Sequence, residues 1–316
     1  MKIAVLDDYQ NVARDMADWS RLERDHEVTF FDQPYEGLEG FTTRLAPFEI
    51  VCIMRERSPF GREVIERLPG LKLLVTAGMR NAAIDMEAAR ERGVPVLGTG
   101  GSVESTPELA WGLMLSLARH IHVENARMRE GSWITTLGTD VAGATLGIIG
   151  LGRLGRRMAE IGRVFGMEVI AWSQNLTDEQ AEAAGVRRVG KDELFREADF
   201  ITIHYKLGER SRKLVGAREL GLMQPTAFLV NTSRGPVVDT EALVAALTEG
   251  RIAGAGIDVY DEEPLPADHP LRSCPRTLLT PHLGYVTRNT YRAFYGEIVE
   301  DIEAWLAGNP LRVLSP

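Results

Sequence analysis

The strongest constraint on the fold is a glycine-rich turn that joins an apolar strand to a helix. Residues 145–149 have the composition of a buried strand, and residues 147–155 read Gly-Ile-Ile-Gly-Leu-Gly-Arg-Leu-Gly. Gly150, Gly152 and Gly155 therefore follow the spacing GxGxxG. In such a unit the first glycine permits the tight turn, the second lets the backbone approach a pyrophosphate, and the third lets helix and strand pack closely. The turn predicts a βαβ unit that binds a dinucleotide at the start of its helix.

The sequence around this turn supplies the helix and second strand of the βαβ unit, but the acidic residue that usually ends the second strand is missing. A helix is predicted over 156–165 and a second strand over 168–172, with Arg153 and Leu154 at the helix start beside the expected phosphates. An acidic residue is expected about 20 residues after the turn, where it would bond the ribose 2′-hydroxyl. This chain has Ser173 and Gln174 there, which can bond a hydroxyl and would not repel a 2′-phosphate. The predicted cofactor is NAD or NADP, and the choice between them stays open.

Two arrays of alternating strands and helices predict two α/β domains. The chain has 316 residues, and single cores tend to split beyond about 250–300 residues. Alternation of apolar runs with amphipathic segments is typical of a doubly wound parallel sheet. The strands are predicted at 3–6, 28–31, 50–54, 71–76 and 95–97, and then at 145–149, 168–172, 200–203, 227–231, 253–257 and 277–280. Between the arrays a long helix is predicted, with its N-cap and first turn in residues 104–108 and an apolar run over 109–121. An arm or loop over 130–140 follows it.

Composition excludes several classes of protein. The formal net charge is −9, which disfavours nucleic acid and anionic membrane surfaces as partners. No apolar stretch is long enough to span a bilayer, and the first residues read as a strand rather than a signal peptide. Cys52 and Cys274 have no metal-ligand spacing, so neither a metal site nor a disulfide framework is expected. The cytoplasm is the expected location.

Chemically capable side chains follow four strands of the second array. His204, Arg234, Asp258 and His282 each come after a predicted strand, and ligands of open α/β sheets bind beyond the carboxyl ends of the strands. Hydride transfer from a hydroxy acid needs a base for the alcohol proton, and histidine titrates in the right range. Glu263 could orient that histidine. A guanidinium suits a substrate carboxylate and carbonyl better than an ammonium does.

Each of these residues also has an ordinary structural interpretation. An arginine before a glycine can cap a turn, a loop histidine can bond the backbone, and Glu263 lies in an acidic loop. The functional interpretation gains weight because together the residues supply every group that the reaction needs: a base, a carboxylate to orient it and a cation for the substrate.

Four segments resemble the D-isomer-specific 2-hydroxyacid dehydrogenase family, in the family's order. They are the glycine turn, residues 230–239 (VNTSRGPVVD), residues 254–264 (GAGIDVYDEEP) and residues 278–284 (LLTPHLG). The resemblance runs over nearly the whole chain and is strongest over 105–284. It implies an oxidoreductase that moves a hydride between NAD(P)(H) and a small D-2-hydroxy acid or 2-keto acid.

The resemblance also implies roles for particular residues. Arg234, Glu263 and His282 would be the catalytic trio, with Arg234 and His282 also binding the substrate. Thr106, Thr232 and Asp258 would lie near the nicotinamide, and His204 would also contact the cofactor. The substrate carboxylate would meet the backbone around Gly78, Met79 and Arg80.

The implied architecture is a Rossmann dinucleotide-binding domain inserted in a flavodoxin-like substrate domain. The expected substrate domain consists of residues 1–101 and 285–316, and the expected cofactor domain of residues 102–284. The long helix and the 130–140 arm would build a homodimer.

Departures from the family's pattern concern substrate and cofactor choice. Met79-Arg80-Asn81 follows Gly78 where the family often has Gly-Val-Gly, and Arg80 would favour a second anionic group on the substrate. Two alternatives remain: an NAD-sensing regulatory protein of the same fold, and a formate dehydrogenase. The latter family pairs its catalytic histidine with glutamine, whereas this chain has Glu263.

Overall fold

The computed structural model describes residues 1–314, which fold into two compact units. The first unit consists of Met1–Ser102 and the segment that begins at Val286, and the second is Val103–Tyr285. The first unit therefore takes its residues from both ends of the chain.

The first unit is an α/β layer structure. Its elements are, in chain order, β1 (Lys2–Val5), α1 (Ala13–Met16), α2 (Ser20–Glu23), β2 (Glu27–Phe30), α3 (Leu38–Leu45), β3 (Ile50–Ile53), α4 (Arg62–Glu66), β4 (Leu73–Thr76), α5 (Met86–Glu91) and β5 (Val96–Gly98). The strands form a parallel sheet in the order β2-β1-β3-β4-β5. This is the flavodoxin-like order. Strands β3 and β4 are buried along their whole length, as expected of a parallel sheet covered on both faces.

The second unit contains the glycine-rich turn. Its elements are α6 (Ser105–Ala118), α7 (Ile121–Arg129), β6 (Thr145–Ile149), α8 (Arg153–Val164), β7 (Glu168–Trp172), α9 (Asp178–Ala183), β8 (Arg187–Arg188), α10 (Lys191–Glu197), β9 (Phe200–Ile203), α11 (Ala217–Leu220), β10 (Phe228–Asn231), α12 (Thr240–Thr248), β11 (Gly254–Ile257) and β12 (Thr277–Leu279). The chain then returns to the first unit as α13 (Arg288–Leu306).

The sheet of the second unit places the glycine turn at a topological switch point. Its strands are parallel, in the order β12-β11-β10-β9-β6-β7-β8. The chain winds from β6 outward to β8 on one side, then returns beside β6 and continues to β12 on the other. This is the Rossmann order, in which ligands bind beyond the carboxyl ends of the strands near the reversal. The predicted fold class is confirmed.

Two details of the predicted elements were wrong. The apolar helix predicted over 109–121 is α6, and it ends at Ala118 because His120 takes a left-handed conformation with φ of 51°. A second helix, α7, starts directly afterwards and buries none of its side chains. The short strand β8 was not predicted, since its two arginines are exposed and carry no apolar pattern. The 130–140 segment contains no helix or strand, as expected.

Two further structural findings concern membranes and metals. Within residues 1–314, no helix has both the length and the apolar composition needed to cross a bilayer. The same part of the chain holds no group of three or more His, Cys, Asp or Glu side chains arranged to bind a metal ion.

Candidate active site

The glycine turn has the geometry that its sequence predicts. Gly150 has φ of 98°, and a Cβ there would lie 2.5 Å from the carbonyl oxygen of His204. A Cβ on Gly155 would lie 2.1 Å from the carbonyl oxygen of Gly150, so only glycine lets α8 pack against β6. A Cβ on Gly152 would meet no atom within 4 Å. The backbone at the start of α8 therefore faces open space, which suits the approach of a pyrophosphate to unbonded N–H groups.

Ser173 lies at the end of β7 and is tied to the glycine turn. Its Oγ accepts a hydrogen bond from the Leu151 N–H at 3.0 Å. The hydroxyl hydrogen stays available to a ribose hydroxyl or a phosphate, because a serine oxygen can accept and donate together. Gln174 is exposed beside it. Neither side chain carries a charge that would reject a 2′-phosphate.

Two buried polar atoms near these strand ends have no partner within residues 1–314. One is Nδ1 of His204, just after β9, and the other is Oγ1 of Thr232, just after β10. The other ring nitrogen of His204 bonds Oγ1 of Thr202 at 2.9 Å. Burial lowers the pKa of His204 to about 4, so its ring is neutral near pH 7. Unpaired buried polar atoms are costly, and their position at the carboxyl edge of a Rossmann sheet fits a bound dinucleotide.

Arg234 projects from a loop that β10 positions. The side chain of Asn231, the last residue of β10, donates to the Arg234 carbonyl at 3.0 Å and accepts from the Ser233 N–H at 3.0 Å. A Cβ on Gly235 would lie 2.0 Å from the carbonyl carbon of Tyr260, so glycine is required after the arginine. The guanidinium also donates to the Ser233 carbonyl at 2.8 Å. The loop conformation is therefore fixed on both sides of Arg234.

Glu263 and His282 form a direct pair. Nδ1 of His282 lies 2.5 Å from Oε2 of Glu263, and the other oxygen of Glu263 accepts from the Tyr260 N–H at 2.8 Å. The side chain of His282 is 19% exposed and that of Glu263 is 30% exposed, so the pair reaches solvent without being fully solvated. With Nδ1 donating to the carboxylate, Nε2 is left to exchange a proton with a ligand.

Asp258 holds the histidine loop in place. Its carboxylate accepts from the Thr280 hydroxyl at 2.6 Å and from the N–H groups of Leu283 and Gly284 at 2.7 and 3.0 Å. Its carbonyl accepts from the His282 N–H at 2.8 Å. Burial raises the pKa of Asp258, and the hydrogen bonds and the nearby His282 oppose that shift. These bonds anchor the loop that carries His282, and the predicted contact of Asp258 with the cofactor stays a prediction.

Thr106 and Tyr285 adjoin the same loop. The Thr106 hydroxyl, in the first turn of α6, donates to the Gly284 carbonyl at 3.0 Å. The ring of Tyr285 meets the His282 ring edge-on, with centroids 5.4 Å apart and planes at 70°. Sequence reasoning did not single out Tyr285. An aromatic residue three positions after a candidate catalytic histidine was the available signal.

Gly78, Met79 and Arg80 lie in the first unit, in the loop after β4. Gly78 has φ of 91°, and its N–H donates to the Thr99 hydroxyl at 2.8 Å. Met79 is 46% exposed and Arg80 is also exposed. Their role in binding substrate stays a prediction.

The strand order brings the predicted residues of the second unit to one edge of one sheet. His204, Thr232, Asp258 and the Thr280–His282 segment follow β9, β10, β11 and β12, which are neighbours in that order. The supporting residues Asn231, Tyr260 and Thr280 were missed because their roles depend on partners elsewhere in the chain.

Comparison with known proteins agrees with this arrangement. A family model described as D-isomer specific 2-hydroxyacid dehydrogenase, NAD binding domain, matches residues 111–284. The chain is 37% identical over 297 residues to glyoxylate reductase of Thermococcus litoralis, covering 91% of this chain and 89% of the relative. It is 38% identical to glyoxylate reductase of Aeropyrum pernix over 256 residues, covering 78% and 76%.

A solved structure shows the same fold over almost the whole chain. The crystal structure of phosphoglycerate oxidoreductase from Vibrio cholerae superposes with a TM-score of 0.93 at 35% identity, covering 98% of this chain and 99% of that one. The chain therefore belongs to the D-isomer-specific 2-hydroxyacid dehydrogenase family and is an oxidoreductase that moves a hydride between NAD(P)(H) and a 2-hydroxy or 2-keto acid.

Proposed function

We propose that Arg234, Glu263 and His282 carry out this reaction on a small D-2-hydroxy acid or its 2-keto acid. The observation that carries the proposal is the 2.5 Å contact between His282 Nδ1 and Glu263 Oε2 at the sheet edge that holds the dinucleotide fingerprint. When bound, the nicotinamide cofactor supplies or accepts the hydride. The protein must then move one proton and bind one carboxylate.

His282 is the proposed acid and base. In reduction, Nε2 of the imidazolium gives a proton to the carbonyl oxygen as that oxygen becomes an alcohol. In oxidation, neutral Nε2 takes the same proton back. The Glu263 carboxylate stabilises the imidazolium and fixes its orientation, and the Tyr260 N–H fixes the carboxylate in turn. Asp258 bonds the Thr280 hydroxyl before His282 and the Leu283 and Gly284 N–H groups after it, so the ring is positioned before substrate binds.

Arg234 is the proposed substrate cation. A guanidinium offers forked donors that match one carboxylate oxygen and the adjacent carbonyl oxygen of a 2-keto acid. It also stabilises the negative charge that develops on the carbonyl oxygen during reduction. In the first unit, Gly78, Met79 and Arg80 are proposed to bind the substrate carboxylate.

The cofactor residues are proposed along the carboxyl edge of the Rossmann sheet. The open backbone at Gly152 suits the pyrophosphate, as do the N–H groups of Arg153, Leu154 and Gly155 at the start of α8. The unpaired atoms of His204 and Thr232 suit polar groups of the cofactor. Thr106 and Asp258 adjoin the same loop as His282 and are proposed to lie near the nicotinamide.

We expect both NAD and NADP to bind. We expect Ser173→Asp to weaken the binding of NADP relative to that of NAD. A carboxylate at the end of β7 would repel a 2′-phosphate but would accept a hydrogen bond from a ribose hydroxyl. The KM for NADPH should rise about tenfold or more, since opposing like charges cost several kcal/mol. The KM for NADH should change little. Equal effects on both cofactors would contradict the proposed role, and Ser173→Thr, which keeps the hydroxyl, is the control.

A panel of 2-keto acids tests the proposed function. Glyoxylate, hydroxypyruvate and pyruvate would each be assayed with NADH and with NADPH at steady state. Turnover of at least one is the expected result. The products from hydroxypyruvate and pyruvate should be the D-isomers by chiral chromatography, whereas glycolate, formed from glyoxylate, has no stereocentre. NAD(P)H binding without turnover of any of them would instead favour a regulatory protein of the same fold.

We propose that the second unit also forms a homodimer interface. Five apolar side chains on α7 and the arm that follows it are exposed in the single chain: Ile121 (54%), Met128 (62%), Trp133 (74%), Ile134 (77%) and Leu137 (92%). Such a patch on one segment is typical of an interaction surface, and a second copy is the proposed occupant.

Leu137→Glu should dissociate that dimer, because it places a charge in an apolar contact. Sedimentation velocity would measure the change from dimer to monomer at micromolar protein concentration. Leu311→Glu, at an apolar residue of the first unit that is 45% exposed, should leave the dimer intact. A wild-type protein that sediments as a monomer would rule out the interface.

The cytoplasm is the proposed location. Cys52 and Cys274 are both free thiols, as is usual for proteins in reducing compartments.

A further inference from the structure

A stacked pair of aromatic rings joins the ends of strands β7 and β9 in the second unit. The two strands flank β6 in a parallel sheet, so their carboxyl ends lie at the same edge. The ring of Trp172, the last residue of β7, stacks on the ring of Tyr205, two positions after β9, with centroids 6.0 Å apart and planes at 11°. Ser173 and Lys206 directly follow these two rings, so they start from neighbouring points of the sheet edge.

The loop after β9 holds the backbone of Lys206 in place. The Ser233 hydroxyl donates to the Tyr205 carbonyl, and the hydroxyl of Ser211 donates to the Lys206 carbonyl at 2.9 Å. A Cβ on Gly150 would lie 3.2 Å from the backbone nitrogen of Tyr205, so the glycine lets this loop lie against the dinucleotide turn. A ligand that binds Lys206 therefore has to order its side chain but not its backbone.

The side chain of Lys206 is a cation without a counterion. It is exposed, and in the part of the chain that the structure describes it forms no hydrogen bond, ion pair or ring contact. Residues 173–177, after β7, carry no charge, and the first acid beyond them, Asp178, pairs with Arg188 at 3.0 Å. Residues 206–212 contain three basic residues and one acidic residue, on a protein whose net charge is −9. This loop is therefore a local positive region at the edge of the Rossmann sheet.

A phosphate on the adenosine ribose would lie at this edge. The second strand of the βαβ unit is β7, and the residue at its end is the one expected to meet the ribose 2′-hydroxyl. That residue is Ser173, whose oxygen accepts from the Leu151 N–H and whose hydrogen stays available to a ligand. NADP differs from NAD only by a phosphate on that hydroxyl, and a phosphate monoester carries a charge of about −1.5 to −2 near pH 7. Such a group needs a cation, and the end of β7 has none.

We propose that Lys206 binds the 2′-phosphate of NADP(H), with Ser173 donating a hydrogen bond to the same group. The lysine on the loop after β9 supplies the cation that the end of β7 lacks, so the enzyme binds NADPH more tightly than NADH. This inference rests on the proposed cofactor residues of the second unit and names the cofactor that they select. It does not depend on the roles proposed for Arg234, Glu263 and His282.

Binding measurements test the inference without turnover. Isothermal titration calorimetry would give the Kd of NADPH and NADH, and of adenosine 2′,5′-bisphosphate and 5′-AMP, two pairs that each differ by the 2′-phosphate alone. The wild-type Kd should be at least about fivefold lower for the phosphorylated member of each pair. Lys206→Met should raise that Kd about 5- to 30-fold, between the scale of an exposed ion pair and that of a hydrogen bond to a charged group. The Kd of NADH and of 5′-AMP should change less than about twofold, since neither ligand carries the group that Lys206 binds.

Two further variants separate the position of the charge from its presence. Arg210→Met removes one positive charge from the same loop, at an exposed side chain that has no partner within residues 1–314. It should leave the ratio of the two dinucleotide Kd values within about twofold of the wild type. Lys206→Arg keeps a cation at the site and should keep the preference for NADPH. Added salt should reduce the preference of the wild type more than that of Lys206→Met, because exposed charges are screened.

Three outcomes would overturn the inference. The wild type could bind NADH as tightly as NADPH, or Lys206→Met could weaken both cofactors equally. Arg210→Met could also match the effect of Lys206→Met, which would indicate the net charge of the loop rather than a phosphate site. Failure of the proposed function would look different, because no keto acid would be turned over while the binding of NADPH and its dependence on Lys206 persisted.

Discussion

Replacing His282 with alanine is expected to lower kcat by about 10²–10⁴, the usual contribution of a positioned general acid or base. The ring that is lost holds Nδ1 against Glu263 and leaves Nε2 for the substrate oxygen. Cofactor affinity, measured by NADH fluorescence, should hardly change, because the fingerprint lies at the end of a different strand. Wild-type kcat in this variant would show that another group transfers the proton.

Glu263→Gln tests the carboxylate of the pair separately. Glutamine keeps the size of the side chain but has no charge to stabilise the imidazolium that carries the proton. We expect kcat to fall about 10- to 100-fold, the scale of one hydrogen bond to a charged group. A wild-type kcat would mean that Glu263 acts only as a spacer. His26→Ala, at a ring that contacts the amino-terminal nitrogen, is the control for loss of a histidine and should leave kcat unchanged.

The fold was predictable because its signals are local and repeated. Strands β6, β7, β9, β10 and β11 of the second unit each coincide with an apolar run in the sequence. The glycines at 150, 152 and 155 are recognisable from their spacing alone, although the atom that excludes a side chain at Gly150 belongs to His204, far along the chain. Strand β8 gave no such signal, because Arg187 and Arg188 are both exposed. The end of α6 depends on one residue, His120, in a conformation that an apolar pattern does not predict.

The candidate catalytic residues were predictable for a related reason. A parallel sheet aligns the carboxyl ends of its strands, so residues that follow strands in the sequence meet at one edge in space. The pairing of Glu263 with His282 followed from chemistry rather than from spacing, and the 2.5 Å contact agrees with it.

The supporting contacts were not predictable, because each joins segments that are distant in the chain. Asp258 bonds Thr280, Leu283 and Gly284, which lie 22 to 26 positions later. Its sequence context, directly after a strand, predicts a place at the carboxyl edge of the sheet but not these partners. Which donors the carboxylate meets depends on the fold, and a single sequence does not contain that information.

Arg234→Ala is expected to lower kcat/KM by a factor that corresponds to a loss of about 2–5 kcal/mol of transition-state stabilisation. This is the scale for truncating one partner of a desolvated charge pair. The substrate would lose the forked donors for its carboxylate and carbonyl oxygens, together with a positive charge beside the developing alkoxide. The loop itself should persist, because Asn231 binds the backbone at 233 and 234 rather than the guanidinium. A circular dichroism spectrum and a melting curve would check that the fold is intact.

Arg234→Lys separates charge from geometry. The ammonium keeps the positive charge but has no planar fork, so the variant should retain partial activity with a raised substrate KM. NADH affinity, measured by fluorescence titration, should stay close to that of the wild type in both variants. If Arg234→Ala instead abolished NADH binding while the substrate KM stayed unchanged, Arg234 would be a cofactor residue. The substrate carboxylate would then need another cation, and Arg80 would be the first residue to test.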